Sequence, residues 1–120
     1  MGAAVSDWRL ARAVSRAGQL GVVSGTGLDT VMIRRLQRGD PDGAMRRALR
    51  HFPNAAIALT ILAKYYVPGG KADGVPFVRL PMHAPDAPRE LHELTVAANF
   101  VEVWLAKEGH DGWVGVNYLE

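Results

Sequence analysis

The residues best placed to do chemistry form a short turn, Ser24-Gly25-Thr26-Gly27, which follows an apolar run and leads into a helical pattern. In that setting backbone N–H groups are bared and no Cβ stands in the way, so a phosphate or a planar ring can come close. The local signature is incomplete. A dinucleotide fingerprint starting at Gly25 needs a third glycine where Thr30 stands, and the phosphate-loop lysine is absent. A tight turn without a ligand is the competing reading. Asn117 lies near the end of a second apolar run, Trp113 to Tyr118. Its amide can donate to and accept from a ligand at a strand end, or merely finish the strand. His92-Glu93 would need a histidine at position 96 to make the two-histidine zinc pair of a helix; Val96 stands there, and no metal site is expected. His110-Asp111, set between Gly109 and Gly112, can pair as a base with its orienting acid or form a polar turn. His51 and His83 read as surface side chains. No serine has a nucleophile's context, and the absence of cysteine removes thiolate catalysis, disulfides and cysteine-based metal sites.

Those residues need elements to position them. Leu10, Ala11, Val14 and Ala17 recur at helical spacing behind a cap at Ser6 or Asp7, with Gly18 where a C-terminal cap belongs; this predicts a helix over about 7–17. Leu20 to Ser24 is short, β-branched in its middle and bounded by glycines, as a strand buried on both faces is. Asp29 or Thr30 can cap a helix carrying Val31, Ile33 and Leu36, and the Gly39-to-Gly43 break separates it from an arginine-rich helix over Ala44 to Arg50. Ala58, Ile61, Leu62 and Tyr65 mark a further helix, stopped by Pro68-Gly69-Gly70. Five prolines and three glycines then punctuate Pro68 to Pro88, too long a stretch for an ordinary connection. After it, Leu91, Leu94, Ala98, Val101 and Leu105 give the core face of a long helix stopped by Gly109, and Trp113 to Tyr118 reads as a second buried strand.

A hydrophobic share of 48% and a charged share of 22% suit a soluble globular chain, and 120 residues suit one domain. No apolar run reaches a membrane span and no signal-peptide pattern opens the chain, so no membrane partner and a cytoplasmic location are expected. The net charge of +2 is uneven: Arg34, Arg35, Arg38, Arg46, Arg47 and Arg50 cluster, opposed locally by Asp40 and Asp42. Such a cluster can contact phosphates or line solvated helix faces. With no interleaved aromatics for base stacking, no nucleic-acid partner is expected.

The opening Met1-Gly2 into Ser6-Asp7-Trp8-Arg9-Leu10-Ala11, then Gly21-Val22-Val23-Ser24-Gly25-Thr26, then Gly115-Val116-Asn117, resembles the nitronate monooxygenase family, formerly 2-nitropropane dioxygenases. The Tyr65-to-Lys71 segment, Phe77 to Met82, and Ala98 through Gly112 resemble a branch of that family with a longer insertion, so the likeness covers nearly the whole chain. The resemblance implies an FMN-dependent enzyme of TIM-barrel fold that oxidises alkyl nitronates with dioxygen, its flavin on the rim at the strands' carboxyl ends. Carried over position by position, the cofactor-binding residues are Met1 and Gly2, from the turn after the family's first strand, then Gly25 and Thr26, and Asn117. The family's first strand and its two preceding glycines are missing, as are its phosphate-binding glycines and its catalytic histidine. None of His51, His83, His92 or His110 stands in that histidine's context, and no catalytic residue is assigned.

A complete barrel takes about 250 residues. The expected fold is therefore a partial TIM (β/α) barrel over residues 1–120, a truncated chain with a mostly helical insertion over about 29–108 between two parallel strands. Its partners would be a small-molecule substrate and either a second copy or another chain to complete the barrel. The alternative is an inactive fragment or an interaction module that completes its sheet through another chain.

Overall fold

The computed structural model describes residues 4–79 and 88–118. Asp7 opens α1 (Trp8–Arg16), its carboxylate accepting the Arg9 and Leu10 N–H groups at 3.0 and 3.3 Å, which pairs two of the donors a helix start leaves orphaned. The chain then forms β1 (Gly21–Ser24), α2 (Leu28–Gln37), α3 (Ala44–Leu49), α4 (Ala55–Tyr65), α5 (Arg89–Lys107) and β2 (Val114–Asn117). The two strands pair in parallel, Gly21 opposite Val114 and Ser24 opposite Asn117.

This is not the partial barrel that the sequence pattern predicts. Among the described residues there are five helices and one sheet of two four-residue strands. A barrel core is built from layers of strand side chains. Here Val23 is the one strand residue among the fully buried apolar side chains, and the rest of that core is helical: Met32 and Leu36 of α2, Met45 and Leu49 of α3, Ile61 and Tyr65 of α4. All of these gather on α5, whose Leu91, Leu94, Ala98, Val101 and Leu105 are buried as their spacing predicts, and which touches the other four helices and both strands. The apolar runs taken for doubly covered strands also part company. Gly21, Val23 and Ser24 are buried, but β2 is only half-buried at Val114, Gly115 and Val116, and Trp113 is 78% exposed.

The strands approach the helices through small residues. Leu10, expected on the inner face of α1, is half exposed, and the face that turns inward carries Ala11 and Ser15. A Cβ on Gly21 would sit 2.0 Å from the Ala11 carbonyl oxygen, and one on Gly112 would sit 2.2 Å from Ser15 Oγ. The close packing of β1 and of the approach to β2 against α1 therefore depends on glycine at both places.

After α4 the chain turns back along α2. Val67 N–H donates to the Leu36 carbonyl and Lys71 N–H to the Gln37 carbonyl, so this strap pairs acceptors that the end of α2 leaves without helical donors. Residues 68–79 of the proline-rich stretch contain no helix or strand. No helix among the described residues is long and apolar enough to cross a membrane.

Candidate functional site

Three of the five positions proposed for the cofactor fall at one end of the sheet. Gly25 and Thr26 form the turn between β1 and α2, and Asn117 ends β2 beside them. Gly25 N–H donates to the Asn117 carbonyl at 2.9 Å, continuing the parallel ladder one step past β1. This end of a parallel pair, outside the carboxyl ends of the strands and at the start of a helix, is where α/β folds bind ligands. The Asn117 side chain is exposed. Met1 and Gly2 lie outside the described residues, as does His83.

The reason for glycine at position 25 differs from the one expected. A Cβ there would meet the Tyr118 ring at 2.7 Å and the Asn117 carbonyl oxygen at 2.9 Å, so the place foreseen for a flavin ring is taken by the chain itself. Tyr118, half exposed, donates its phenol proton to Asn99 Oδ1. The start of α2 has the left-handed Gly27 and no side-chain cap, but Asp29 stands in its first turn, buried, with Oδ1 accepting the Thr30 N–H at 2.8 Å. A carboxylate there satisfies the helix dipole and repels a phosphate. The donor set at this end suits the polar edge of a ring at Asn117 better than it suits a phosphate.

The histidines make no catalytic pair among the described residues. His110 Nδ1 accepts the Gly112 N–H at 3.0 Å, which leaves Nε2 to donate to the Ala106 carbonyl at 2.6 Å. Both ring nitrogens hold the turn into β2, and Asp111 is exposed. His51 stacks on Trp104 at 4.6 Å, and His92 is exposed on α5. No group of three or more potential metal ligands gathers among the described residues.

Sequence reasoning missed the buried charges. Glu102 is 3% exposed in the middle of α5. Its Oε2 accepts the Trp8 N–H at 2.9 Å, and its Oε1 accepts Arg35 Nη1 at 2.6 Å, while Arg35 Nη2 reaches Asp7 at 3.3 Å. Burial pushes the Glu102 carboxyl above its ordinary value, against the pull of the Arg35 guanidinium. The signal was available: Glu102 falls four residues after Ala98 and one after Val101, on the stripe assigned to the core. Asp40 is the second case, 2% exposed and left-handed at φ 45, accepting the N–H groups of Met45 and Arg46 and the Arg46 side chain. Asp40 lines a cleft of about 500 Å³ together with Trp8, Arg35, Arg38, Pro41 and Met45, in which Arg9 and Arg35 are already committed to Asp7, Asp42 and Glu102. No protein-family model, curated protein or solved structure matches the chain.

Proposed function

We propose that the chain seats a flavin mononucleotide at the carboxyl ends of β1 and β2 and serves an FMN-dependent oxidation of alkyl nitronates, as its resemblance to nitronate monooxygenases implies. The observation that supports this is the parallel register, which sets Ser24 against Asn117 and so gathers Gly25, Thr26 and Asn117 at one edge. When bound, the flavin supplies the redox chemistry, with dioxygen as the oxidant. The chain's own contribution is seating. The Asn117 amide offers a donor and an acceptor to the ring edge, and the glycine turn lets backbone come close. The Tyr118 side chain, anchored only at its phenol among the described residues, has to swing from the front of Gly25 to clear the ring's place. The test is the visible spectrum of the purified chain after loading with FMN and removing the excess. A retained, shifted flavin band that Asn117→Ala abolishes and Tyr118→Ala keeps is the expected result. A colourless wild-type chain refutes the proposal.

A second function is favoured by one specific observation: no strand pairs with the outer edge of β2 among the described residues, and Trp113 and Leu20, 78% and 59% exposed, flank the start of the sheet. Open edges recruit other strands. On this account the chain is an interaction module whose sheet is extended by a second copy. It predicts a molar mass by light scattering that doubles with concentration and reverts in Val116→Pro, which removes an edge N–H.

A further inference from the structure

The fold sorts the clustered arginines into two kinds. Arg35, Arg46 and Arg47 end on carboxylates, at Glu102 and Asp7, at Asp40, and at Glu108. Arg34 on α2 and Arg38, four residues on at its C-terminal cap, have no carboxylate partner among the described residues. Their guanidinium carbons lie 5.3 and 5.4 Å from the centre of the Phe77 ring, and Lys71 Nζ lies 4.6 Å from the same centre. Arg79 adds a fourth cation two residues beyond Phe77, on the wall of a cleft of about 510 Å³ that Thr30, Ile33, Arg34, Phe77 and Val78 also line. Asp73 is the one carboxylate between Lys71 and Arg79, and it pairs with none of these cations among the described residues.

The wall that carries Phe77 is clamped in place. The Gln37 side chain, 2% exposed, accepts the Val78 N–H at 2.7 Å and donates to the Val78 carbonyl at 3.3 Å, reading one residue's backbone as a neighbouring strand would. At the base of the strap a Cβ on Gly39 would come within 2.6 Å of Gly70 N, so backbone lies directly on backbone.

We propose that this cleft binds the phosphate monoester of a small molecule. Cations gathered around one aromatic ring repel one another, and an anion of matching charge removes the repulsion. A phosphate monoester carries about −1.5 to −2 at neutral pH, where a carboxylate carries one charge. Guanidinium forks meet phosphate oxygens in pairs, Lys71 adds a point charge, and the Thr30 hydroxyl adds a donor. Ile33, Phe77 and Val78 give the organic body of the ligand an apolar wall. The volume is that of a small-molecule site. None of this depends on flavin binding at the sheet edge.

The test is calorimetric titration of the chain at low salt with phenyl phosphate, inorganic phosphate, benzoate and a short oligodeoxythymidine. Phenyl phosphate should saturate one site and bind more tightly than inorganic phosphate or benzoate. Losing two charge-assisted contacts in the Arg34→Gln/Arg79→Gln double variant should weaken it by about tenfold or more. Arg50→Gln, an exposed arginine that does not line this cleft, should leave it unchanged, and melting by circular dichroism should show both variants folded. No saturation by phenyl phosphate, equal affinity in the double variant, or benzoate binding as tightly overturns the proposal. Binding of the oligonucleotide with no binding of phenyl phosphate overturns it in favour of a nucleic-acid surface.

Discussion

Removing Glu102 separates two effects that a buried carboxylate combines. Glu102→Ala at pH 7 strips Arg35 of its 2.6 Å partner and leaves the Trp8 N–H, at the first residue of α1, without its acceptor. Breaking one side of a buried pair costs about 3–5 kcal/mol. For a chain of this size that lowers the melting temperature by roughly 10–20 °C. Glu102→Gln keeps an oxygen that can accept one of the two hydrogen bonds, and Arg35 keeps Asp7, so its cost should be about 1–2 kcal/mol. The pH dependence is the sharper readout. Because burial raises the Glu102 pKa in the fold, the native state holds that proton more tightly than the unfolded chain does. The stability this contributes is full at pH values below the ordinary carboxylate range and is lost as pH rises through the raised value. Glutamine carries no such charge. From about pH 4 to pH 7 the difference between Glu102→Gln and wild type should therefore move in the variant's favour, read by urea unfolding followed by circular dichroism. A difference that stays constant, or moves toward wild type, would show that the Arg35 and Trp8 contacts outweigh burial and would refute the reasoning.

Three further substitutions probe how the strands and the strap are held. Gly21→Ala should cost more than about 2 kcal/mol, because its Cβ would meet the Ala11 carbonyl at 2.0 Å and backbone cannot step aside, whereas Gly69→Asn should stay within about 1 kcal/mol, because the open space at φ 76 suits an asparagine; thermal melts of the pair check this, and equal effects would mean that α1 and β1 are not in that contact. Gln37→Leu should leave the Val78 N–H and carbonyl unpaired and release the 76–79 wall, a loss of about 1–3 kcal/mol with faster tryptic cleavage after Arg79, and an unchanged cleavage rate would mean the clamp does not hold it.

The helices were legible because each carries its own evidence. Asp7 caps α1, the stripe of Ala58, Ile61 and Tyr65 is buried in α4, and the 91-94-98-101-105 spacing is buried along α5. What misled was the step from elements to architecture. Two short β-branched runs look alike in a sequence whether they form part of a barrel wall or a two-stranded ribbon beside a helical core, because local pattern reports which residues shun water and not how many strands share the sheet. The α1 face failed for a related reason. Ser15 is buried there because Gly112 packs against it, a contact 97 residues distant in sequence that no helical period contains. At the candidate site the glycine turn was found from its context, but the cause of Gly25 was not, since Tyr118 becomes its neighbour only through the parallel pairing.

The same contrast governs the charges. Arg34, Arg35 and Arg38 sit within five residues of one another, and a count of sequence charge treats them alike. On α2 a one-residue step turns a side chain by about 100°, so Arg35 swings toward α1 and α5, where Asp7 and Glu102 hold it, while Arg34 and the capping Arg38 both reach the Phe77 ring. Arg35 is thereby built into the framework: removing its charge strands a carboxylate that is 4% exposed. Arg34 and Arg38 hold nothing charged in place, and removing either strands no partner among the described residues. A cation that stabilises the fold is spent on its carboxylate; one held only by an aromatic ring keeps its donors open to an anion from solution. The angular step along α2, more than the number of arginines, therefore decides where on this chain a phosphate can be met.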